Sequence, residues 1–288
     1  MMNKKRQSGP KTNQTPRKKN SQSMRSRNQG QHREKSFRSH ADSILKPKAS
    51  NGYFLFGRNS VETALQNKNR ECVRLIGTEK ALSHDRIRSI RPNIETLAVQ
   101  DAGILDATVG TDSPHQGILL EVRPLPGTDI ESLSPIEGQK NIILMLDQVT
   151  DPHNVGACMR SAAAFGARAL ITQDRNSPSE NGTLARSAAG GLETLDWLRV
   201  ANLSQALDTL KEMGYWHVGL DGNTETKVRD VKLGDNIVII MGSEGKGMRP
   251  LTRKACDMIA KIPMTGHIES LNVSNAAAIA LYEFTDQA

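Results

Sequence analysis

Three short stretches gather the residue types and spacings that could do chemistry. The first runs Asp147-Gln-Val-Thr-Asp-Pro152-His-Asn154-Val-Gly156-Ala-Cys-Met-Arg160. An apolar strand ends there, Pro152 interrupts regular structure, and Asn154 is placed to cap the helix that follows. Gly156, Arg160 and Ala163 or Ala164 recur at helical spacing, so Arg160 projects as one long cation from a face of small residues. That leaves room beside it for a partner backbone or an RNA phosphate, although the same residues also read as a plain cap and a snorkelling surface arginine. The second stretch is Gly242-Ser-Glu244-Gly245-Lys246-Gly247. A Walker A loop needs four residues between its first Gly and the Gly-Lys pair, followed by Ser or Thr; here there are two, and Gly247 follows. The GxGxxG order is absent too. What remains is a strand ending in a glycine-rich turn that a ligand can approach closely, with the Glu244 carboxylate in its middle, or with Glu244 as a helix-start residue favoured by the macrodipole. The third stretch runs from Ile262-Pro263 to Ser270-Leu271-Asn272-Val-Ser274-Asn275, with apolar positions continuing at Ala277, Ala280, Leu281 and Phe284. Its start carries more capping residues than one helix needs, which suggests ligand binding; the alternative is an ordinary capped core helix.

The elements that must position these stretches follow from hydrophobic patterning. Ile142 to Leu146 and Ile237 to Met241 are continuous apolar runs, as in buried parallel strands. Leu203 to Met213 has helical spacing and Val218 to Leu220 reads as a strand, so residues 141–288 form an α/β unit with a mostly parallel sheet. In such sheets ligands bind beyond the carboxyl ends of the strands, where the three stretches lie. Upstream, order is expected to begin near Tyr53. Val61 to Leu65 (helix), Cys72 to Ile76 (strand), Ile104 to Ala107 (helix) and Gly117 to Val122 (strand) make a smaller α/β unit over 51–124. Pro124, Pro126, Gly127, Pro135 and Gly138 punctuate a linker over 125–140.

Charge separates these units from the start of the chain. Residues 1–50 hold 14 Lys or Arg against Glu34 and Asp42, a balance of +12; since the whole chain carries +7, the rest carries −5. A segment so basic and so poor in apolar residues is expected to be a disordered tail that attracts phosphates through counterion release. Cys72, Cys158 and Cys256 are odd in number and widely spaced, which fits neither a disulfide framework nor a metal motif and points to a reducing, cytoplasmic setting. No apolar run approaches the roughly 20 residues of a membrane helix. Aromatic residues make up 3% of the chain, which disfavours a reader built on base-stacking platforms.

In this order and with this spacing, the three stretches resemble the three motifs of the SpoU/TrmH family of the SPOUT class. Gly57, Asn59, Val61 and the Pro114-His-Gln-Gly117 turn resemble that family's substrate-binding domain. The resemblance implies a C-terminal domain threaded as a trefoil knot and dimerisation through it. It implies S-adenosylmethionine held by Gly242, Ile262 and Leu271, with catalytic positions at Asn154, Arg160, Glu244, Ser270 and Asn272. The implied reaction is methylation of a ribose 2′-hydroxyl in RNA, a guanosine of 23S rRNA in enzymes that carry the extra domain, with no metal. The alternatives are a tRNA 2′-O-methyltransferase, a ribosome assembly factor that binds RNA without catalysis, and a Rossmann nucleotide enzyme. The first is distinguished by lacking the extra domain, the second by losing Arg160, Glu244 or Asn272, and the third by an early GxGxxG turn. Family accounts put the arginine at the 2′-hydroxyl. A guanidinium stays protonated in proteins, so it suits phosphate binding and alkoxide stabilisation better than proton abstraction.

Overall fold

The computed structural model describes residues 46–83, 85–268 and 270–285. Most of the basic 1–50 segment therefore lies outside the described residues. Its last five residues do not: they precede β1 and are tied to the sheet behind it, so ordered contacts begin before Tyr53.

The chain runs through β1 (Tyr53–Phe56), α1 (Arg58–Gln66), β2 (Cys72–Thr78), α2 (Glu79–Leu82), α3 (Asp85–Ile90), β3 (Glu95–Val99), α4 (Gly103–Val109) and β4 (Ile118–Val122). These strands form one sheet in the order β1-β4-β2-β3, antiparallel except for β2 with β3. Glu121 of β4 is buried opposite Arg74 of β2 and ion-paired to it. The same pair holds the preceding segment: Arg74 donates to the Lys46 carbonyl at 2.9 Å, and Glu121 accepts from the Ala49 amide at 2.8 Å. Two buried charges are tolerable because each finds a partner and a backbone group.

The larger unit comprises β5 (Asn141–Asp147), α5 (Pro152–Ala164), β6 (Ala169–Gln173), α6 (Gly182–Ala188), α7 (Gly191–Thr194), β7 (Asp196–Val200), α8 (Leu203–Glu212), β8 (Trp216–Leu220), β9 (Asn236–Gly242), α9 (Pro250–Lys254), β10 (Met258–Ala260) and α10 (Val273–Thr285). Its six strands stand in the order β10-β8-β9-β5-β6-β7, every neighbouring pair parallel. β5 is buried along its whole length, which explains its unbroken apolar run. In α8 the buried residues Leu203, Ala206, Leu207 and Leu210 recur at helical spacing.

One expectation at α5 is corrected. Asp151, not Asn154, caps this helix, accepting from the His153 amide at 2.9 Å, and Pro152 takes the first helical position, where its missing N–H costs nothing. Asn154 sits inside the first turn with its side chain free for other partners. Beside it, the space at Gly156 is filled by the chain itself: a Cβ there would lie 2.5 Å from the Leu184 carbonyl oxygen of α6.

Glycines also set the contact between the two units. A Cβ on Gly182 would fall 2.4 Å from the Phe54 carbonyl oxygen of β1. Next to this contact Arg70 is fully buried. It donates to both carboxylate oxygens of Glu193, to Glu180 and to the Arg123 carbonyl. Burial and then the Glu180 carboxylate push the Tyr53 phenol far above its usual range, so it stays protonated against Glu180.

Candidate active site

The sheet order changes direction between β5 and β9, whose carboxyl ends, Asp147 and Gly242, pair with each other. An open sheet leaves a crevice at such a point. Asp147 is fully buried there and accepts from the Arg249 amide at 2.9 Å and from its Nε at 2.7 Å. That pair pins the exit of the 242–249 loop over the end of β5. Inside the loop, Gly245 and Gly247 have positive φ, of 78° and 65°. Gly242 is required for another reason: a Cβ on it would lie 2.0 Å from the Gly247 carbonyl carbon. The loop folds back on its own first residue.

The three stretches converge at this crevice. Asn272 Nδ2 donates to Asn154 Oδ1 at 3.0 Å and to Glu244 Oε1 at 2.7 Å. Its Oδ1 meanwhile accepts from the Ser274 amide at 2.9 Å and the Ser274 hydroxyl at 2.6 Å, capping α10. Glu244 Oε1 also accepts from the Val273 amide at 3.2 Å. Glu244 therefore does stand at a helix start, that of α10 rather than of a helix following its own loop, where the macrodipole favours its charge. Of the polar residues crowded before α10, Asn272 serves as cap and cross-link together.

Against this cluster lies a cavity of about 440 Å³ lined by Gly242, Glu244, Ile262, Ser270 and Leu271, with Asp221, Asn223 and Lys246 adding polar groups. Arg160 is not among its walls. It lines a second cavity, of about 560 Å³, with Arg58, Gln116 and Arg186, between the small sheet unit and the large one. Of the eight residues singled out from the sequence, seven thus gather at the crevice and its rim, and Arg160 stands apart. Asp147, Arg249 and Arg186 were not singled out. A lone carboxylate at a strand end and scattered arginines have no periodic signature; only the fold pairs or assembles them.

Other reactive groups are quiet. Burial raises the Cys158 and Cys256 thiols to about 12 each, so neither is a nucleophile near neutral pH. Among the described residues no group of three or more His, Cys, Asp or Glu side chains is placed to hold a metal ion, and no helix is long and apolar enough to cross a membrane.

Comparison with known proteins decides the family. Residues 141–282 match the SpoU rRNA Methylase family, and residues 54–127 match the domain described as RNA 2′-O ribose methyltransferase substrate binding. The chain is 36% identical over 241 residues to the 23S rRNA (guanosine-2′-O-)-methyltransferase RlmB of Xylella fastidiosa, covering 81% of this chain and 96% of that protein. The chain belongs to the SpoU rRNA methylase family. The enzyme of the same name from Vibrio parahaemolyticus is 37% identical over 242 residues, with 81% and 96% covered. Among solved structures, the SpoU methyltransferase AviRb from Streptomyces viridochromogenes, in complex with the cofactor AdoMet, shares the fold with a TM-score of 0.72. It is 22% identical, and 86% of this chain and 96% of that one are covered. An RNA 2′-O ribose methyltransferase superposes with a TM-score of 0.69 at 26% identity, covering 87% and 92%. Membership removes the Rossmann alternative, and both units of this chain have counterparts in the family.

Proposed function

We propose that this SpoU-family chain is an S-adenosylmethionine-dependent methyltransferase acting on the ribose 2′-hydroxyl of a guanosine in 23S rRNA. The observation that carries the reading is the Asn154–Asn272–Glu244 cluster, which joins all three motifs at the lip of one cavity. The matched substrate-binding domain and the RlmB relatives support 23S rRNA over tRNA.

The residues at the crevice fit the cofactor. The cavity falls in the roughly 300–1,000 Å³ range of small-ligand sites and has the usual mixture of apolar walls and few polar groups. Backbone at Gly242 and Leu271 and the Ile262 side chain would hold the adenosyl portion. When bound, S-adenosylmethionine supplies a methyl group activated by its sulfonium. The chain's own residues then have to position the acceptor. Ser270 and the linked amides of Asn154 and Asn272 orient groups at the lip, and Glu244 keeps that lip rigid, so that positioning lowers the barrier. Arg160 binds the phosphate beside the target nucleotide and stabilises the alkoxide as it develops. The reading includes a knotted threading of the C-terminal segment and a homodimer through the catalytic unit. The dimer is supported by an apolar face on which Ile279 and Tyr282 of α10 are exposed, with Phe165 edge-on to Tyr282 at 6.1 Å.

A substrate RNA with one deoxynucleotide at the modified position tests the target atom. It should bind and accept no methyl, because the missing oxygen contributes to chemistry far more than to contact area; methyl transfer to it would place the reaction on a base.

A further inference from the structure

The second cavity brings together three arginines that no other described residue neutralises. Arg58 follows β1, Arg160 lies on α5 and Arg186 on α6, and all three line the same cleft of about 560 Å³. Among the described residues no acidic one lines it. Among the described residues none of the three guanidinium groups has a hydrogen-bond or ion-pair partner, whereas Arg70, Arg74, Arg249 and Arg253 are each paired with a carboxylate. A cleft lined by charge of one sign focuses a positive potential, which favours an anion there. The cleft is also built rather than incidental. Gln116 adopts a left-handed φ of 55°, uncommon for a residue with a side chain, and its Oε1 accepts from the Arg58 amide at 2.7 Å. That bond fixes the turn carrying Arg58. Gly57, with φ 84°, faces the Arg186 side chain, which a Cβ there would meet at 3.9 Å.

Resting on the function proposed above, we infer that Arg58 and Arg186 clamp the RNA backbone phosphates flanking the target nucleotide, one from each unit of the fold. Planar guanidinium forks suit phosphate oxygens, and phosphate contacts fix register without reading sequence. The clamp makes the two residues binding groups: they hold the flanking backbone equally in the ground and transition states and do not touch the reacting atoms.

The test uses the full chain and a fragment of 23S rRNA that the wild type binds. Arg58→Gln and Arg186→Gln should each raise KM for RNA about tenfold and leave kcat within about twofold. Each should also reduce the slope of log K against log salt by roughly 0.7 to 0.9, the loss of one phosphate contact. Both residues are exposed, so folding is not at stake. A neutral methylphosphonate scanned along the fragment supplies the specific readout: one linkage beside the target should weaken wild-type binding about tenfold and leave Arg186→Gln binding unchanged. Additive losses at every linkage, or a fall in kcat at unchanged KM, would overturn the clamp. If the wild type binds the fragment but transfers no methyl, the proposed function fails, while the salt slopes and linkage scan still decide the clamp.

Discussion

The two cavities differ in how their polar groups are spent. At the crevice beyond β5 and β9, the motif side chains are already bonded to one another: Asn272 to Asn154 and Glu244, Asp147 to Arg249. In the cleft between the two units, Arg58, Arg160 and Arg186 line the walls without partners among the described residues. A site whose contacts are made in advance suits a ligand of fixed shape, because little entropy remains to be lost on binding. Unanswered charge suits a polyanion that arrives with its own counterions and displaces them. The two sites should therefore respond to mutation in opposite ways, the first through fit and the second through charge.

The largest expected effect comes from parting the walls of the cleft while leaving the crevice alone. Arg70 is buried between Glu180 and Glu193 and spans the two units. Arg70→Met strands two carboxylates and should cost about 3–5 kcal/mol in urea denaturation. In the protein that remains folded, calorimetry should find cofactor affinity close to wild type and weakened RNA binding. Equal losses at both sites would mean that the two cavities are not independent.

Next come substitutions within each site. Arg160→Ala and Arg160→Lys should each lower turnover at least about 100-fold, the scale of a lost transition-state donor, with cofactor affinity changed less than about twofold. Lys keeps the charge but loses the planar fork. Leu271→Arg should show the reverse balance, abolishing cofactor binding by placing charge in an apolar wall. Substitution of Gly242 is a poorer probe, since even a methyl group there meets the loop's own backbone. Near-normal turnover by Arg160→Ala would remove that residue from the mechanism.

How far the sequence foretold this contrast depends on the range of the interactions. β5, β9 and α8 were legible because burial imposes a pattern on consecutive residues. The edge strand β3 escaped notice: mostly exposed, it carries little apolar pattern. At the crevice the residue types were legible from motif spacing, but not their bonding. Asn154 resembled a cap because Asn is a good one; Asp151 three positions earlier took that place. The cleft was legible only in fragments, as the Gly57–Asn59 and Pro114–Gly117 turns. It is assembled from residues over a hundred positions apart, and nothing local in Arg186 marks it as a neighbour of Gly57.

The basic segment sharpens the charge side of the comparison. Removing residues 1–45 should weaken RNA binding and flatten its salt dependence while leaving kcat intact, since that charge adds affinity without geometry. The cut has to stop there. Lys46 and Ala49 satisfy the buried Arg74–Glu121 pair, so deletion through residue 50 would also destabilise the small sheet. An unchanged salt slope after the shorter cut would show that the segment has another role.

The smallest effect expected concerns His217 on β8, which lines neither cavity and should affect neither fit nor charge. Its side chain is buried: Nδ1 faces the Ala255 carbonyl oxygen at 3.2 Å, and Nε2 has no hydrogen-bond partner among the described residues. Burial holds its pKa below the usual histidine value of about 6.5, outweighing the Ala255 carbonyl and Asp257, which pull the other way. The unfolded chain therefore takes up a proton at a higher pH than the folded one. Its contribution to stability is complete above about pH 6.5 and is lost as the pH falls from there through the folded-state value. Melting curves of the wild type should move to lower temperature over that window. In His217→Phe, which keeps a ring in the same place without the titration, this component of the shift should vanish. Cofactor and RNA affinities measured at neutral pH should be the same in both proteins. A pH response retained in His217→Phe would assign the acid sensitivity to other groups, and a change in RNA affinity would show that the cleft is coupled to the far side of the sheet.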